Sequence, residues 1–425
     1  MNSIYLMATC ILSLLYFWVT YNVPILAVGF KRLCGGNKNG KRARRPEKEA
    51  LPVFSIVVPM KNEERVAERS LRALLKLDYP PHKREIIVVE DGSTDRTAEI
   101  CAGFAERYPG QVRLVRKSRS EGKPSALNCA MEHAMGEIIA MFDADSVPEK
   151  DALLKAAEYF QDPSVAAVQG TTCSINADQN MLTKFLSYEE AAWLRTYIQG
   201  KDALNLFVPL TGSCQFVRRS VLERVGGWDE DSLSEDVEMS AKLTDKGYGI
   251  RYAPDIFSWQ ESPANIPQLI RQRTRWFRGY METALKYGRL IRRVNKRSID
   301  AEITLMGPYM FTLCLVGYLT ALYSLLTPTQ PGYVFTLTAR VISVLNLATL
   351  LIIGLALIYA TKPRRIRNLL WLPFIYTYWG IQTIVALRAL VQVVLRKPRE
   401  WTKTTKTGAV TGGASGARVS VPSRL

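Results

Sequence analysis

Hydrophobic and polar positions divide the chain into a mixed middle region flanked by uninterrupted apolar stretches. Residues 1–30 carry no charged side chain, and further uncharged stretches follow at 303–326, 341–361 and 368–387. About 20 apolar residues are needed to cross a bilayer as a helix, so each stretch predicts a membrane helix. No basic residue precedes the first stretch, and its apolar run is long. Both features favour a retained helix over a cleaved signal peptide.

Between these stretches, short β-branched runs alternate with segments of helical periodicity. The predicted strands are Phe54–Met60, Glu85–Asp91, Val112–Lys117 and Glu137–Phe142, and the predicted helices are Glu64–Leu77, Thr94–Tyr108 and Lys123–Met135. Strands that alternate with helices of about 10–15 residues indicate βαβ units, and hence an α/β fold with a mostly parallel, Rossmann-like sheet. Ligands bind beyond the carboxyl ends of the strands in such sheets, so a functional site is expected at that edge.

The pattern predicts six segments along the chain. They are an N-terminal transmembrane helix (1–30), a basic linker (31–50), an α/β domain (51–262), an amphipathic interface helix (263–298), C-terminal transmembrane or interfacial helices (299–395), and a terminal segment (396–425). The terminal segment after Lys406 is rich in Gly, Ser, Thr and Val with little apolar patterning, which predicts disorder.

The formal net charge of +17 is typical of nucleic-acid-binding proteins, but its location indicates a membrane protein. Eight basic residues fall within 31–48, directly after the first apolar stretch, and four more fall within 362–367. Basic loops beside membrane helices follow the positive-inside rule and suit anionic lipid headgroups. The charge therefore predicts a multi-pass protein of the cell membrane with its large domain in the cytoplasm, and no nucleic-acid partner.

The last apolar stretch creates a conflict in this topology. If residues 368–395 crossed the membrane, the basic residues at 396–399 would lie outside the cell. Pro373 and Arg388 within the stretch favour a kinked, re-entrant or interfacial segment instead. We therefore expect a cytoplasmic terminal segment.

The seven cysteines have no paired spacing, and the chain has only two histidines, His82 and His133. A disulfide framework or zinc site is not indicated, which suits a reducing cytoplasm. Acid–base chemistry must therefore depend on carboxylates.

Two sets of carboxylates follow predicted strands. Asp91 ends one strand and could accept the imide N–H of a uracil ring, although a turn with a helix cap explains it equally. Asp143 and Asp145 follow another strand, two residues apart, and so point to the same side of extended backbone. They could hold Mg²⁺ or Mn²⁺ against a diphosphate, and the alternative is a polar turn.

Two further motifs lie later in the chain. Asp236, in Ser234-Glu235-Asp236, is a candidate general base, while ordinary capping of the following helix is the alternative. Gln272-Arg273-Thr274-Arg275-Trp276 lies in a basic amphipathic segment of the kind found along membrane surfaces. That alternative explains the charge and periodicity of the segment, but not the clustering of Gln, Arg and Trp.

Together these motifs resemble a known family. They run in order along the chain as Val58–Glu64, Glu90–Ser93, Gly122–Asn128, Asp143–Asp145, Thr211–Ser213, Ser234–Asp236 and Gln272–Trp276. The set resembles processive, inverting family 2 glycosyltransferases, namely cellulose, chitin, hyaluronan and poly-N-acetylglucosamine synthases. The resemblance implies a GT-A fold for the α/β domain.

The resemblance also implies roles for individual residues. Asp236 would be the catalytic base, and Asp143 and Asp145 would hold the metal, Mg²⁺ or Mn²⁺. The nucleotide donor would contact Pro59, Glu63, Asp91, Lys123, Asp143, Arg275 and Lys406. The acceptor would contact Gly212, Ser213, Glu235, Gln272 and Trp276. The segment Trp401–Gly408 resembles the loop that closes over the donor in this family, and its Thr and Lys side chains suit phosphate.

The implied reaction is metal-dependent transfer, with inversion, from a UDP-sugar to a growing β-linked polysaccharide. The nearest alternative is a single transfer to a membrane lipid, as in ceramide glucosyltransferase. A non-catalytic sugar-nucleotide sensor is a further alternative, but it would not need all of Asp91, Asp143, Asp145 and Asp236. Because the chain has fewer membrane segments than cellulose synthase, a homo-oligomer or an export partner is expected to complete any polymer channel.

Overall fold

The computed structural model describes residues 3–35, 50–288, 294–326, 332–360, 365–399 and 403–411. The strands are β1 Phe54–Met60, β2 Arg84–Asp91, β3 Val112–Lys117, β4 Ile138–Met141, β5 Val147–Pro148, β6 Val165–Ser174, β7 Gln215–Arg218 and β8 Gly249–Gln260. The helices are α1 Ser3–Gly35, α2 Ala67–Leu75, α3 Thr97–Arg107, α4 Lys123–Met131, α5 Ala152–Tyr159, α6 Met181–Ala192, α7 Gln199–Ala203, α8 Arg219–Val225, α9 Glu235–Asp245, α10 Ile266–Tyr287, α11 Lys296–Leu305, α12 Gly307–Leu326, α13 Tyr333–Ala360 and α14 Leu372–Val394. A π-helical turn, Trp193–Ile198, joins α6 to α7.

The described strands form one sheet in the order β3-β2-β1-β4-β7-β6-β8-β5. The neighbours β3, β2, β1 and β4 are parallel, as the sequence predicts. In contrast, β7 runs antiparallel to β4 and β6, and β5 runs antiparallel to β8. Because β6 and β8 pair in parallel, four of the seven described strand pairs are parallel, as predicted, and all three antiparallel pairs involve β5 or β7. The chain between β6 and β7 is a helical excursion that brings β7 back between β4 and β6 in the reverse direction.

Alternate residues of the parallel strands face two separate helical layers. Ile56 and Val58 of β1 pack in the cluster that contains Leu71 of α2. Val57, between them, packs in the cluster that contains Leu127 of α4. The two-residue period of a strand produces this division, and burial of both faces explains why β1 reads as a continuous apolar run.

Three described helical stretches are long and apolar enough to cross a membrane: Cys10–Gly35, Thr336–Tyr359 and Ile366–Val394. The pair α11 and α12 becomes a fourth if its two helices form one span, although they meet at an angle of 50°. The apolar stretch predicted at 303–326 therefore begins inside α11 and turns near Met306 before it continues as α12.

Helix α14 contacts the α/β domain near its beginning and beyond its end. The ring of Tyr378 lies 4.9 Å from the ring of Phe185 in α6. Past the end of α14, Arg278 of α10 donates hydrogen bonds to the carbonyl oxygens of Lys397 and Pro398, at 2.5 and 3.0 Å. The chain that leaves α14 therefore lies against α10.

The terminal segment is ordered further than its composition predicts. The amide of Thr411 donates to the carbonyl oxygen of Ile175 at 3.2 Å, and Thr411 Oγ1 accepts from the amide of Asp178 at 2.9 Å. The prediction of disorder directly after Lys406 is thus wrong for residues 407–411, because their polar groups find partners on the α/β domain. Residues 412–425, Trp401 and most of the predicted basic linker lie outside the described residues.

Helix α1 packs against the α/β domain at backbone contact distance. A Cβ atom at Gly29 would lie 1.8 Å from the carbonyl oxygen of Thr196, in the π-helical turn. A Cβ atom at Gly200 of α7 would lie 2.1 Å from the carbonyl oxygen of Ile25 in α1. No side chain fits at either glycine without moving backbone, so α1 and the 193–203 region form one packed unit.

Candidate active site

The site lies at the edge where β1, β2 and β4 end. Because these strands are parallel and in register, the residues that follow Met60, Asp91 and Met141 converge there. The edge gathers the predicted donor residues into one region, which is the placement expected for an open α/β sheet.

Asp91 is buried and holds the loop that follows β3. Its carboxylate accepts hydrogen bonds from Ser120 Oγ at 2.6 Å and from the amides of Glu121 and Gly122 at 3.2 Å. An ionised carboxylate can accept about four hydrogen bonds, so Asp91 could still accept one from the N–H of a nucleobase. Contact between Asp91 and uracil stays a prediction, and the structure adds a positioning role at the entrance to α4.

Glu63 lies just beyond β1 and contacts the terminal segment. Its Oε1 lies 2.9 Å from Lys403 Nζ. Burial raises the pKa of Glu63 to about 7, against the opposing effect of the Lys403 ammonium. Pro59, also predicted at the nucleotide, lies within β1 opposite Val89, with its side chain half-buried.

Asp143 and Asp145 follow β4, and each is paired with a lysine. Asp143 Oδ1 lies 2.7 Å from Lys123 Nζ, and Asp145 Oδ2 lies 2.7 Å from Lys406 Nζ. Asp145 Oδ2 also accepts the amide of Glu261 at 2.7 Å. Burial alone would raise the pKa of Asp145, but Lys406 and this amide bring it below its usual value.

The two aspartates suit a divalent cation that is shared with a diphosphate. The described residues contain no group of three or more His, Cys, Asp or Glu side chains that could enclose a metal alone. Two carboxylates two residues apart are, however, oxygen ligands of the kind Mg²⁺ and Mn²⁺ prefer, and Mg²⁺ sites commonly use one or two carboxylates with substrate phosphates. The donor set therefore fits the predicted metal, with phosphate oxygens as further ligands.

Lys123 connects the aspartates to the predicted base. Its Nζ lies 2.7 Å from Asp143 Oδ1 and 2.9 Å from Glu235 Oε1, and it donates to the carbonyl oxygen of Gly212 at 2.9 Å. Burial alone would lower the pKa of Lys123, but the two carboxylates raise it overall. The lysine is therefore a fixed cation between β4 and α9.

Asp236, in the first turn of α9, faces the backbone of Gly212. A Cβ atom at Gly212 would lie 3.1 Å from Asp236 Oδ2, and the φ angle of +81° further disfavours a side chain there. Burial raises the pKa of Asp236 to about 7, and the adjacent Glu235 carboxylate contributes to the shift. A carboxylate with a pKa near neutral pH is suited to general base catalysis.

Ser213 and Glu235, both predicted at the acceptor, contact other residues of the site through their side chains. Ser213 is buried, and its Oγ accepts the amide of Asp143 at 3.1 Å and contacts Ser146 Oγ at 2.8 Å. Glu235 is buried against Lys123. Contact of these two residues with an acceptor stays a prediction. Their sequence neighbours Gly212 and Asp236 face the site, whereas the side chains of Ser213 and Glu235 point into the packed interior.

Helix α10 places the Gln-Arg-Trp motif over α9. Arg275 donates to the carbonyl oxygen of Leu233 at 3.0 Å, directly before Ser234-Glu235-Asp236. Gln272 Nε2 reaches Thr404 Oγ1 of the terminal segment at 3.4 Å. The guanidinium of Arg273 lies 4.5 Å from the centre of the Trp276 ring, which fixes the half-buried indole.

Sequence reasoning missed several residues at this edge. Glu261 accepts hydrogen bonds from Thr407 and Gly408, and Arg69 of α2 donates to the carbonyl oxygen of Gly408 at 3.2 Å. Glu261 follows β8, a strand that was not predicted, and Arg69 lies in an ordinary amphipathic helix. A placement of β8 beside β6 would have revealed Glu261, but no local pattern indicates Arg69.

The family model described as "Glycosyltransferase like family 2" matches residues 52–279. The chain belongs to glycosyltransferase family 2. This match includes every motif from β1 to α10, so the family 2 catalytic region coincides with the edge described above.

Curated relatives of this family 2 glycosyltransferase include two kinds of synthase. It is 34% identical over 279 residues to probable glycosyltransferase YdaM of Bacillus subtilis, which is 65% of this chain and 66% of that one. It is 35% identical over 259 residues to beta-monoglucosyldiacylglycerol synthase of Nostoc sp., which is 59% of this chain and 54% of that one. It is 27% identical over 363 residues to poly-beta-1,6-N-acetyl-D-glucosamine synthase of Staphylococcus epidermidis, which is 83% of this chain and 86% of that one. The match thus spans between about half and two thirds of the first two relatives.

A solved structure confirms the fold of this family 2 glycosyltransferase. A mannosyltransferase of Pyrobaculum calidifontis, in complex with GDP-Man and Mn²⁺, superposes with a TM-score of 0.61 at 22% identity. The superposition covers 93% of this chain and all of that one. The predicted GT-A fold with flanking apolar helices is therefore confirmed.

Proposed function

We propose that this membrane-associated glycosyltransferase transfers a sugar, with inversion and with a divalent metal, from a UDP-sugar to a growing β-linked polysaccharide. The observation that carries the proposal is the position of Lys123, which joins Asp143 on the donor side to Glu235, next to Asp236, on the acceptor side. A donor phosphate and an acceptor hydroxyl would thereby be held on either side of one lysine.

The reaction would be a single displacement. Asp236 takes the proton of the acceptor hydroxyl while the oxygen of that hydroxyl forms a bond to the anomeric carbon of the donor sugar. The bond from that carbon to the diphosphate oxygen breaks, and the nucleoside diphosphate leaves. Lys123, Arg275 and Lys406 would stabilise the negative charge that develops on the diphosphate. A divalent cation held by Asp143 and Asp145 would supply Lewis-acid stabilisation of the same charge.

A polysaccharide acceptor is favoured by the extent of one comparison. The similarity to the Staphylococcus epidermidis poly-beta-1,6-N-acetyl-D-glucosamine synthase covers 83% of this chain, so it necessarily includes membrane helices. The similarity to the Nostoc glycolipid synthase is higher at 35% but spans 259 residues. Transfer to a membrane lipid is therefore the second candidate.

We also propose a topology, from the distribution of basic residues. If α1 runs from the outside of the cell to the cytoplasm, α12 would cross to the outside and α13 would return to the cytoplasm. Helix α14 would then lie at the cytoplasmic surface of the membrane. This arrangement keeps Arg365 and Arg367 with the α/β domain in the cytoplasm, as the positive-inside rule requires.

A product assay separates the two acceptors. Detergent-purified protein with Mn²⁺ or Mg²⁺ is given a panel of radiolabelled UDP-sugars, and products are sized on a gel and extracted into organic solvent. We expect label in a high-molecular-weight product that remains in water. Label that moves into the organic phase as one species would overturn the polysaccharide proposal in favour of a glycolipid.

The pH dependence of transfer tests the base. Because Asp236 accepts a proton only when ionised, and its pKa is raised to about 7, the rate should fall as pH drops below 7. We expect about a tenfold loss for each further pH unit at saturating donor. The pKa of Glu63, on the donor side, is also raised to about 7, so protonation of Glu63 could weaken donor binding over the same pH range. A saturating donor concentration removes this effect from the measured rate. A rate that stays constant from pH 7.5 to 5.5 would contradict the assignment of Asp236.

A further inference from the structure

The terminal segment covers the donor-site carboxylates with its own cations. Lys406 Nζ lies 2.7 Å from Asp145 Oδ2 and donates to the carbonyl oxygen of Glu261 at 2.9 Å. Three residues earlier, Lys403 Nζ lies 2.9 Å from Glu63 Oε1. The side chains of both lysines are largely buried by these contacts, which indicates a built interface rather than a loop resting on the surface.

Glu261 fastens the same segment through its backbone. Its Oε1 accepts from the amide and the hydroxyl of Thr407, both at 2.6 Å, and its Oε2 accepts from the amide of Gly408 at 3.0 Å. Gly408 has a φ of +77° and lies against the backbone of Arg65, a conformation that favours glycine. The turn therefore directs two amides at one carboxylate and sets the position of Lys406.

The docked segment supplies two of the three cations that lie beside the donor-site carboxylates. The carboxylates of Glu63, Asp145 and Glu261 face the cations of Arg69, Lys403 and Lys406. If the segment lifts, Arg69 is the one cation of this set that remains beside Asp145 and Glu261. A buried charge without a counterion is costly, so Asp145 then favours another cation.

We propose that Lys406 occupies the position of the divalent cation on Asp145 when no donor is bound, so that metal and terminal segment compete for that carboxylate. The inference rests on the proposed metal-dependent function. Asp145 Oδ2 already accepts the amide of Glu261 and the Lys406 ammonium, which occupy its two lone pairs, and an ammonium this close repels a divalent cation. Metal bound with a donor diphosphate would release Lys406, which could then bind the phosphate oxygens.

The consequence is that free metal binds weakly and that metal enters together with the nucleotide. Competition between two ligands for one group is reciprocal, so whatever loosens the segment must tighten metal binding by the same factor. Binding of metal can therefore be measured without any transfer reaction.

The experiment titrates Mn²⁺ into detergent-purified full-length protein without donor, with free Mn²⁺ followed by electron paramagnetic resonance. Lys406→Met removes the competing charge and keeps most of the side-chain volume. We expect it to bind Mn²⁺ about tenfold more tightly than the wild type, within the usual range of coupled sites. Lys246→Met, at an exposed lysine after α9, serves as the matched control and should bind as the wild type does. Adding Asp145→Ala to Lys406→Met should remove the gain.

Hydrogen exchange provides a second readout. In the wild type, Mn²⁺ without donor should accelerate exchange in a peptide covering 403–411, where the amides of Thr407 and Gly408 are protected by Glu261. Equal or weaker Mn²⁺ binding by Lys406→Met, or no binding by either protein, would overturn the inference. Sugar transfer is assayed on the same wild-type preparation. If the enzyme is active, the proposed function stands whatever the Mn²⁺ titration shows. If it is inactive, the result counts against the proposed function but not against competition between Mn²⁺ and Lys406.

Discussion

Replacing Asp236 with asparagine is expected to abolish sugar transfer while nucleotide binding stays nearly unchanged. Asparagine keeps the shape of the side chain beside Gly212 but cannot take the acceptor proton at neutral pH. General base catalysis contributes about 10²–10⁴-fold, so the initial rate should fall by that factor. The rate is measured with the UDP-sugar identified by the product assay, and binding of UDP with Mn²⁺ is measured by calorimetry.

Asp231→Asn is the matched control for this variant. Asp231 is an exposed aspartate in the loop before α9, and the same change there should leave transfer unaltered. If Asp236→Asn keeps more than about a tenth of the wild-type rate, the base must be another group. Loss of UDP binding in the variant would instead indicate a disturbed site.

Replacing Asp300 with alanine is expected to destabilise the protein more than any other change considered. Asp300 Oδ1 lies 2.7 Å from Lys201 Nζ, and both side chains are fully buried. Asp300 Oδ2 accepts the amide of Phe207 at 2.7 Å, and Tyr21 of α1 donates to Asp300 Oδ1 at 2.5 Å. The alanine variant would leave the Lys201 ammonium with Thr304 Oγ1 at 2.7 Å but without a counter-charge, and the Phe207 amide without its acceptor. Breaking a buried ion pair in this way costs about 3–5 kcal/mol.

Thermal unfolding of the detergent-purified protein, followed by circular dichroism, measures this effect as a lowered midpoint. The control is a double variant, Lys201→Met with Asp300→Leu, which removes both charges together. Replacing a buried ion pair with apolar side chains is often nearly neutral, so the double variant should recover most of the loss. Equal midpoints for Asp300→Ala and the wild type would show that Lys201 finds another partner.

The first half of the sheet could be predicted from sequence because its signals are local. Each of the first three strands is followed by a predicted helix, and the acidic residues of interest end β2 or follow β4. The second half gave no such signal. The apolar run that begins at Val165 has no alternation, and periodicity alone does not distinguish a buried strand from a buried helix.

The candidate site was predictable where one motif carries the chemistry, and not where distant segments meet. Asp143, Asp145 and Asp236 stand out because each belongs to a short acidic motif beside an element boundary. The contact between Glu261 and Thr407 joins residues 146 positions apart, and the one between Lys403 and Glu63 joins residues from opposite ends of the chain. Such pairs follow from the complete tertiary structure, so a single sequence does not indicate them.

The contact of Gly29 with the π-helical turn has a consequence for how such proteins can be recombined. Because backbone meets backbone at Gly29 and Gly200, the helix and the 193–203 region must be inherited as a matched pair. A larger residue at either glycine would need a compensating shift in the other partner. An N-terminal helix taken from a relative would fit this domain only with its own partner region, which makes the anchor a part of the domain and not an exchangeable module.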